Sequence, residues 1–423
     1  MLKTWIALLA AATLGLAACG GGNDRTKAKL RLVNASGSYS ALDLRVHDSL
    51  RQGAVAYGRT ADYVDVAPSE ADTAITVAGS ATSLLAFTPV LEKDRYFTVL
   101  AYGGQGALKQ LLLPDNIERP ASGRALLRVV NAAPDAGPLD IYLTATGDPL
   151  ASAVPLQAAA AVGVVSNWIT VNSGTWRLRI TAGSNKQDLR IDLPALALPS
   201  RDMSTLVLTP GRGGVLVNAL LLAQQGPITV HAAPQARVRV AAGAADGGSV
   251  AASVGGVSLM NNVGSPAVGL YTLLPVGTQP VLLAVNGAAI TMPDMSLAAG
   301  ADYTLLVHGT PAAARGSWIE DDNTPPASPG QAKLRLVHGL ADLAAPLAMT
   351  VDFVPVADGV ASGQASKPVL VTATTTARLS VTGAGLATPL YGAIEQHLDA
   401  GANYTVFLVG ASLAPVGILR KDR

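Results

Sequence analysis

The 423-residue chain has one cysteine, so no internal disulfide can form, and no cysteine-based zinc site can be assembled from it. Charged residues make up only 14%, with Lys plus Arg at 30 and Asp plus Glu at 29, so the basic excess that drives phosphate neutralisation is missing. Nucleic acid is therefore excluded as a partner. Aromatics reach 4%, and the leader aside the only tryptophans are Trp168, Trp176 and Trp318, few platforms for stacking. No Gly-x-Ser-x-Gly elbow and no Gly-x4-Gly-Lys-Ser/Thr phosphate loop occurs. The histidines His47, His231, His308, His338 and His397 are scattered, without the i, i+2 or i, i+4 spacing that metal capture prefers. The sequence thus predicts no enzyme, no cofactor and no metal. What is present is apolar: 49% hydrophobic residues, enough to exclude disorder driven by charge.

The N-terminus reads as an address. Residues 1–18 carry Lys3, then the apolar run Trp5 to Leu16, then Ala17 and Ala18, which is the plan of a signal peptide and too short to span a bilayer. Leu16-Ala17-Ala18-Cys19 resembles the bacterial lipobox, which implies acylation of Cys19 after cleavage. Two or three acyl chains, at about 0.8 kcal/mol per buried CH₂, anchor a protein durably to a membrane. Gly20 stands where lipoproteins retained in an inner membrane carry Asp, so the resemblance implies export to the outer membrane. Residues 19–27 form a Gly-rich polar tether.

Beyond the tether the chain repeats itself. Lys29-Leu30-Arg31-Leu32-Val33-Asn34 returns as Leu127-Arg128-Val129-Val130-Asn131 and as Lys333-Leu334-Arg335-Leu336-Val337-His338, with a weaker copy at Ile228-Thr229-Val230-His231. Each unit closes on a threonine-bearing apolar segment, and Thr98, Thr205, Thr304 and Thr405 lie 107, 99 and 101 residues apart. A period this long marks tandem domains rather than a solenoid. The units fall at 28–116, 124–225, 226–311 and 331–423, with 312–330 as a linker. Within a unit the period is two: Trp176, Leu178 and Ile180 alternate with Arg177 and Arg179 around an Ala182-to-Lys186 turn. One-faced strands of this kind predict an all-β chain of about four tandem immunoglobulin-like antiparallel β-sandwich domains. Tyr303 and Tyr404, each after an Ala-Gly-Ala-Asp/Asn approach, read as tyrosine corners. Glu320, Asp321 and Asp322, ahead of Pro325-Pro326, read as a solvated connector lacking the ligand spacing of a calcium loop.

The second unit opens Leu127-Arg128-Val129-Val130-Asn131-Ala132-Ala133-Pro134-Asp135-Ala136-Gly137-Pro138-Leu139-Asp140-Ile141-Tyr142, which resembles the hallmark of the domain of unknown function 4397 family. The resemblance implies an exported, surface-attached bacterial protein with a β fold, and transfers no catalytic residue. Pro134, Asp135 and Asp140 are the candidate binding loop, although an Asp after Pro is first a turn former. His231 and His338 are expected to take the strand-end place of Asn34 and Asn131, and Trp318 is the candidate contact aromatic. The function expected is a membrane-anchored, non-enzymatic spacer, scaffold or binding protein of the envelope, with a surface protein or polysaccharide as partner. The alternative is a glycan-binding or glycan-processing accessory whose site forms between modules.

Overall fold

The computed structural model describes residues 24–326, 328 and 330–423, and the fold over them is all-β. The predicted signal peptide, Cys19 and the first part of the predicted tether lie outside the described residues. Four units follow one plan, each with an inner and an outer sheet. In unit one the inner sheet runs Arg59–Thr60, Ala28–Asn34, Tyr96–Tyr102, Lys109–Pro114, and Val64–Val66 also pairs with the opening strand. The outer sheet runs Ser49–Ala56, Ala41–Val46, Thr73–Val77, Ser83–Phe87. Alternating residues from the two sheets meet between them, as with Leu30, Leu32, Leu42, Leu44 and Ile75 in unit one, so each unit has its own core.

The sheets are mostly antiparallel, with one exception in every unit. The opening strand pairs in parallel with the threonine strand: Arg31 lies opposite Thr98, Arg128 opposite Thr205, Arg239 opposite Thr304 and Arg335 opposite Thr405. Parallel neighbours need a long crossover. Here the whole outer sheet is that crossover, which is why the two signatures stand so far apart in sequence.

These inner strands are buried on both faces. The strand Tyr96–Tyr102 exposes only part of its first residue, and Asp302–His308 is buried throughout. One face packs within the unit; the other packs against a neighbouring unit. Val33, Leu100, Tyr102 and Leu113 of unit one meet Val130, Val207, Leu220 and Leu222 of unit two. Ala241, Leu306 and Ile319 of unit three meet Val337, Phe407 and Val409 of unit four. The chain is therefore built as two modules, each a back-to-back pair of units.

Two boundaries differ from the sequence reading. Ile228–His231 pairs antiparallel with Val217–Ala223 as a fifth strand of the inner sheet of unit two. The third unit opens instead at Gln235–Ala242, whose Arg239 takes the place of Arg31 and Arg128. His231 therefore does not occupy the place of Asn34; Ala242 does. The segment Arg315–Asp321, assigned to a linker, is the last inner strand of unit three and pairs with Asp302–His308. Its alternation is short, and the carboxylates Glu320 and Asp321 that close it, with Asp322 next, disguise its end.

The tyrosine corners form as expected. The Tyr303 hydroxyl accepts the Ala298 N–H at 3.3 Å, and that of Tyr404 accepts the Asp399 N–H at 3.0 Å. The strand-end residues also share a role. Asn34 Oδ1 accepts the Ser36 N–H and Asn131 Oδ1 the Ala133 N–H, while their amides donate to carbonyls across the unit. His338 reproduces this with Nδ1 facing the Leu340 N–H and Nε2 facing the Ala345 carbonyl. One ring nitrogen must accept and the other donate, so the ring is neutral, and burial pushes its pKa down.

Candidate functional site: ionic seams and the Asp135 loop

The inner-strand arginines point into the seams between units. Each Nε donates to the threonine beside it: Arg31 to Thr98 at 2.8 Å, Arg128 to Thr205 at 2.7 Å, Arg239 to Thr304 at 2.9 Å, Arg335 to Thr405 at 2.8 Å. All four are at least 96% buried, so each guanidinium needs its charge and its donors answered. Asp115, Asp321 and Asp422 answer them, each sitting two residues past the partner of the threonine on the next strand.

In module two the charges balance. Arg335 lies 2.5 Å from Asp321 and 3.9 Å from Asp422, and Arg239 lies 2.5 Å from Asp422 and 4.0 Å from Asp321. The hydroxyls of Thr304 and Tyr271 each donate to Asp321 at 2.6 Å. Burial works to raise the Asp321 carboxyl, but the Arg335 and Arg239 charges outweigh it and hold it below its ordinary value. Burial and the adjacent Asp321 charge keep the Tyr271 phenol protonated, as a donor must be. Asp321 is therefore no solvated connector. Asp322, beside it, is tied to Lys333 at 3.0 Å and to the Thr324 N–H at 3.0 Å.

Module one has two arginines and one carboxylate. Asp115 lies 3.6 Å from Arg31 and 3.4 Å from Arg128, and accepts the Tyr63 hydroxyl at 2.6 Å. Gln224 stands where Asp422 stands in module two. Carbonyls make up the difference: Arg31 donates to Gly226 at 2.7 Å and Ala223 at 3.2 Å, and Arg128 to Pro114 at 3.2 Å. Burial lowers the Arg128 pKa, with Asp115 only partly offsetting it. Aromatic faces add support, Tyr63 at 4.7 Å from Arg31 and Trp168 at 4.5 Å from Arg128.

The predicted binding loop divides into two kinds of residue. Pro134 is exposed and Asp135 half-buried in a short 3-10 turn after Arg124–Asn131. Burial raises the Asp135 carboxyl, while the Arg423 and Lys333 charges pull it back. Asp140 is different: it is buried, and spent on the fold. Its Oδ1 accepts the Ala159 N–H at 2.7 Å and its Oδ2 the Ser184 N–H at 2.9 Å. Asp43 repeats this in unit one, with Ala54 at 2.7 Å and Gly79 at 2.9 Å. Ala159 and Ala54 sit in β-bulges at φ 46° and 53°, a left-handed conformation costly for alanine. In units three and four the Asp position holds Ala251 and Ala348, and the bulge residue is Asn262 at φ 50° or Gly359 at φ 65°. Where the staple is missing, a residue that tolerates the left-handed region takes over. Asp140 is thus removed from the candidate contacts.

Trp318 serves packing rather than contact. It is half-buried, packs on the core of unit three, and meets the Tyr303 ring edge-on at 6.5 Å. Among the described residues, no group of three or more His, Cys, Asp or Glu is placed to hold a metal ion, and no helix is long and apolar enough to cross a membrane.

This geometry defines a class: tandem two-sheet β-domains whose inner sheets pair across a buried ionic seam. The model of the family described as Domain of unknown function (DUF4397) matches residues 28–142 and 236–352, more than half of the chain, and the chain belongs to that family. Both matches start at an odd-numbered unit and run into the next, in step with the two-unit modules. No curated protein matches. Among solved structures the chain is similar to a ligand-free PulA mutant from Klebsiella pneumoniae, at 12% identity and TM-score 0.17 over 71% of this chain and 34% of that one. It is also similar to the Bacillus anthracis TIE protein, at 8% identity and TM-score 0.14 over 89% of this chain and 66% of that one. A third is a candidate cell adhesion protein from Parabacteroides distasonis, at 8% identity and TM-score 0.17 over 71% of this chain and 98% of that one. The chain thus spans about a third of the first and about two thirds of the second.

Proposed function

We propose that the protein is a non-enzymatic envelope lipoprotein, held to a membrane by acylated Cys19, whose paired β-units form a rigid spacer or scaffold presenting loops outward. The observation that carries this reading is the use made of the repeated polar residues. Arg31, Arg128, Arg239 and Arg335, with Asp115, Asp321 and Asp422, are spent on locking one unit to the next. Such residues cannot be displaced toward a substrate without stranding a buried charge. The modules are joined as well. The Gly213 N–H donates to Gly300 at 2.7 Å, Gln235 to the Asp192 carbonyl at 3.0 Å, and Leu273 of unit three packs on the core of unit two. Rigid units behind a Gly-rich polar tether favour holding a surface at a distance over chemistry. Lipobox-like Leu16 to Cys19 supports the anchor, and Gly20 supports the outer membrane.

Labelling cells with an alkynyl fatty acid tests this. Wild-type protein should take up label and sediment with membranes; Cys19→Ser should do neither. Equal labelling and sedimentation of both would overturn the anchor.

A further inference from the structure

Three of the four units close the first outer-sheet hairpin in the same economical way. The turns are His47–Asp48, Gly255–Gly256 and Asp352–Phe353, two residues each, all at φ between 47° and 79°. Unit two does not. Between Leu139–Thr144 and Gln157–Ala160 it carries residues 145–156, with a 3-10 turn at Leu150–Ser152. An insertion confined to one copy of a repeat is not needed for the fold, as its sister units demonstrate.

The inserted loop is held, not loose. Arg177 donates to the Thr146 carbonyl at 3.1 Å, and Arg179, 96% buried, to the Asp148 carbonyl at 2.9 Å and the Thr144 hydroxyl at 2.7 Å. Lys186 donates to the carbonyls of Ala151 at 2.7 Å and Ala153 at 2.8 Å. Three cations from the hairpin Gly174–Ala182 and Asn185–Leu198 thus clamp one short stretch of backbone. Such ordering is done before any ligand arrives, which removes a cost of binding.

Between the loop and the sheet lies a hollow of about 370 Å³, lined by Thr144, Asp148, Pro149, Ser152, Val154 and Trp176 among others. That falls within the usual range for small-molecule sites. Trp176 is half-buried, packed on the core of unit two, with its indole N–H fixed on the Asn172 carbonyl at 3.0 Å. Thr144 accepts from Arg179 and keeps its own proton free to donate. Asp148 uses Oδ2 on the Ala145 N–H at 3.1 Å, and Oδ1 has no hydrogen bond among the described residues. An aromatic wall, exposed apolar Val154, two hydroxyls and one open carboxylate oxygen in a small rigid hollow are complementary to a sugar ring, which has apolar C–H faces and hydroxyl edges. Asp148 is the one ionisable group in the lining itself, with the cations Arg177, Arg179 and Lys186 standing behind the loop, and its open oxygen suits a hydroxyl or amino donor.

We infer that the loop 145–156 and Trp176 form a binding site for a neutral or amino hexose, free or at the end of a glycan. The inference deepens the binding side of the proposed function, yet is separable from it: loss of acylation at Cys19 leaves the hollow intact, and an empty hollow leaves the anchor intact.

Saturation-transfer NMR on the full chain tests it, with glucose, galactose, N-acetylglucosamine and glucosamine as probes. At least one neutral or amino hexose should saturate with a Kd on the order of 1 mM, as one ring in a shallow pocket supports. Replacing 144–156 by Asn-Gly-Ser-Thr-Thr, which leaves seven residues between the paired Ile141 and Gln157 as between Leu44 and Gln52, should weaken binding at least tenfold while circular dichroism stays unchanged. Trp176→Leu should do the same. Absence of saturable transfer from every probe up to about 20 mM would overturn the assignment. So would binding that survives the loop replacement.

Discussion

The two seams solve one problem in two ways. Both bury a pair of arginines between inner sheets. Module two answers them with Asp321 and Asp422, whereas module one has Asp115 alone and supplements it with the carbonyls of Pro114, Ala223 and Gly226. Two of those carbonyls belong to the turn that leads into Ile228–His231, the strand with no counterpart in module two. That strand also adds Ile228 to the apolar seam of module one, which includes Tyr102, Leu113, Leu220 and Leu222 as well. The seam of module two relies more on paired charge and on Phe407. A buried guanidinium can thus be satisfied by carboxylates or by preplaced backbone dipoles, and the choice propagates into how many strands the sheet carries.

The sharpest way to break the comparison is to remove carboxylates. Asp115→Asn leaves two buried arginines without a carboxylate and should cost about 3–5 kcal/mol in denaturant unfolding. Asp422→Asn leaves Asp321 in place, so the loss should be smaller, about 1.5–3 kcal/mol. Equal losses would show that the two seams are not built differently. The outer sheets offer a second contrast. Asp140→Ala removes the acceptor that holds the Ala159 bulge and should cost about 1–3 kcal/mol. Adding Ala159→Gly should return part of that, because glycine accepts the left-handed conformation unaided. The converse change in unit four, Gly359→Ala, should cost about 1–2 kcal/mol, since no staple exists there.

The smallest effect expected is with pH. His338 and His308 are buried in module two with pKa values pushed down by burial from 6.5, His308 also by Arg315. Their folded forms resist protonation that the unfolded chain accepts below about 6.5, so stability is full above that pH and falls as pH drops below it. Asp321, held below its ordinary value, adds a loss only at pH values below about 3.8. Asn34, Asn131 and Tyr102 stand at the matching places in module one, which retains the half-buried His231, also lowered by burial. Hydrogen exchange between pH 7.5 and 5 should therefore loosen module two before module one.

The sequence showed the sheets better than their partners. Alternation in Trp176, Leu178 and Ile180 placed a strand correctly but not the covering of its other face, where Arg179 and Thr181 are buried; the Tyr404 approach marked its corner. The same rule gave no sign that the arginine of each opening strand is buried. The signal for that was present in Leu100-Ala101-Tyr102 and Leu206-Val207-Leu208, unbroken apolar runs that mean burial on both faces. Unit three was misplaced because Ile228-Thr229-Val230-His231 mimics the opening strand locally, and only its pairing partner distinguishes the two. Asp135 and Asp140 sit five residues apart and looked alike; only the bulge at Ala159 separates a fold staple from a surface group. The loop 145–156 was not read from the sequence, and its hollow depends on Trp176, which alternation assigns to an apolar face.

The central claim is that each seam makes two units one cooperative body. Hydrogen exchange by mass spectrometry on the full chain, wild type against Asp115→Asn, tests it most directly. Protection should fall together in Ala28–Asn34, Tyr96–Tyr102, Arg124–Asn131 and Met203–Pro210, while Gln331–Leu340 and Asn403–Ala411 keep theirs. Loss confined to unit one, with unit two unchanged, would contradict the account.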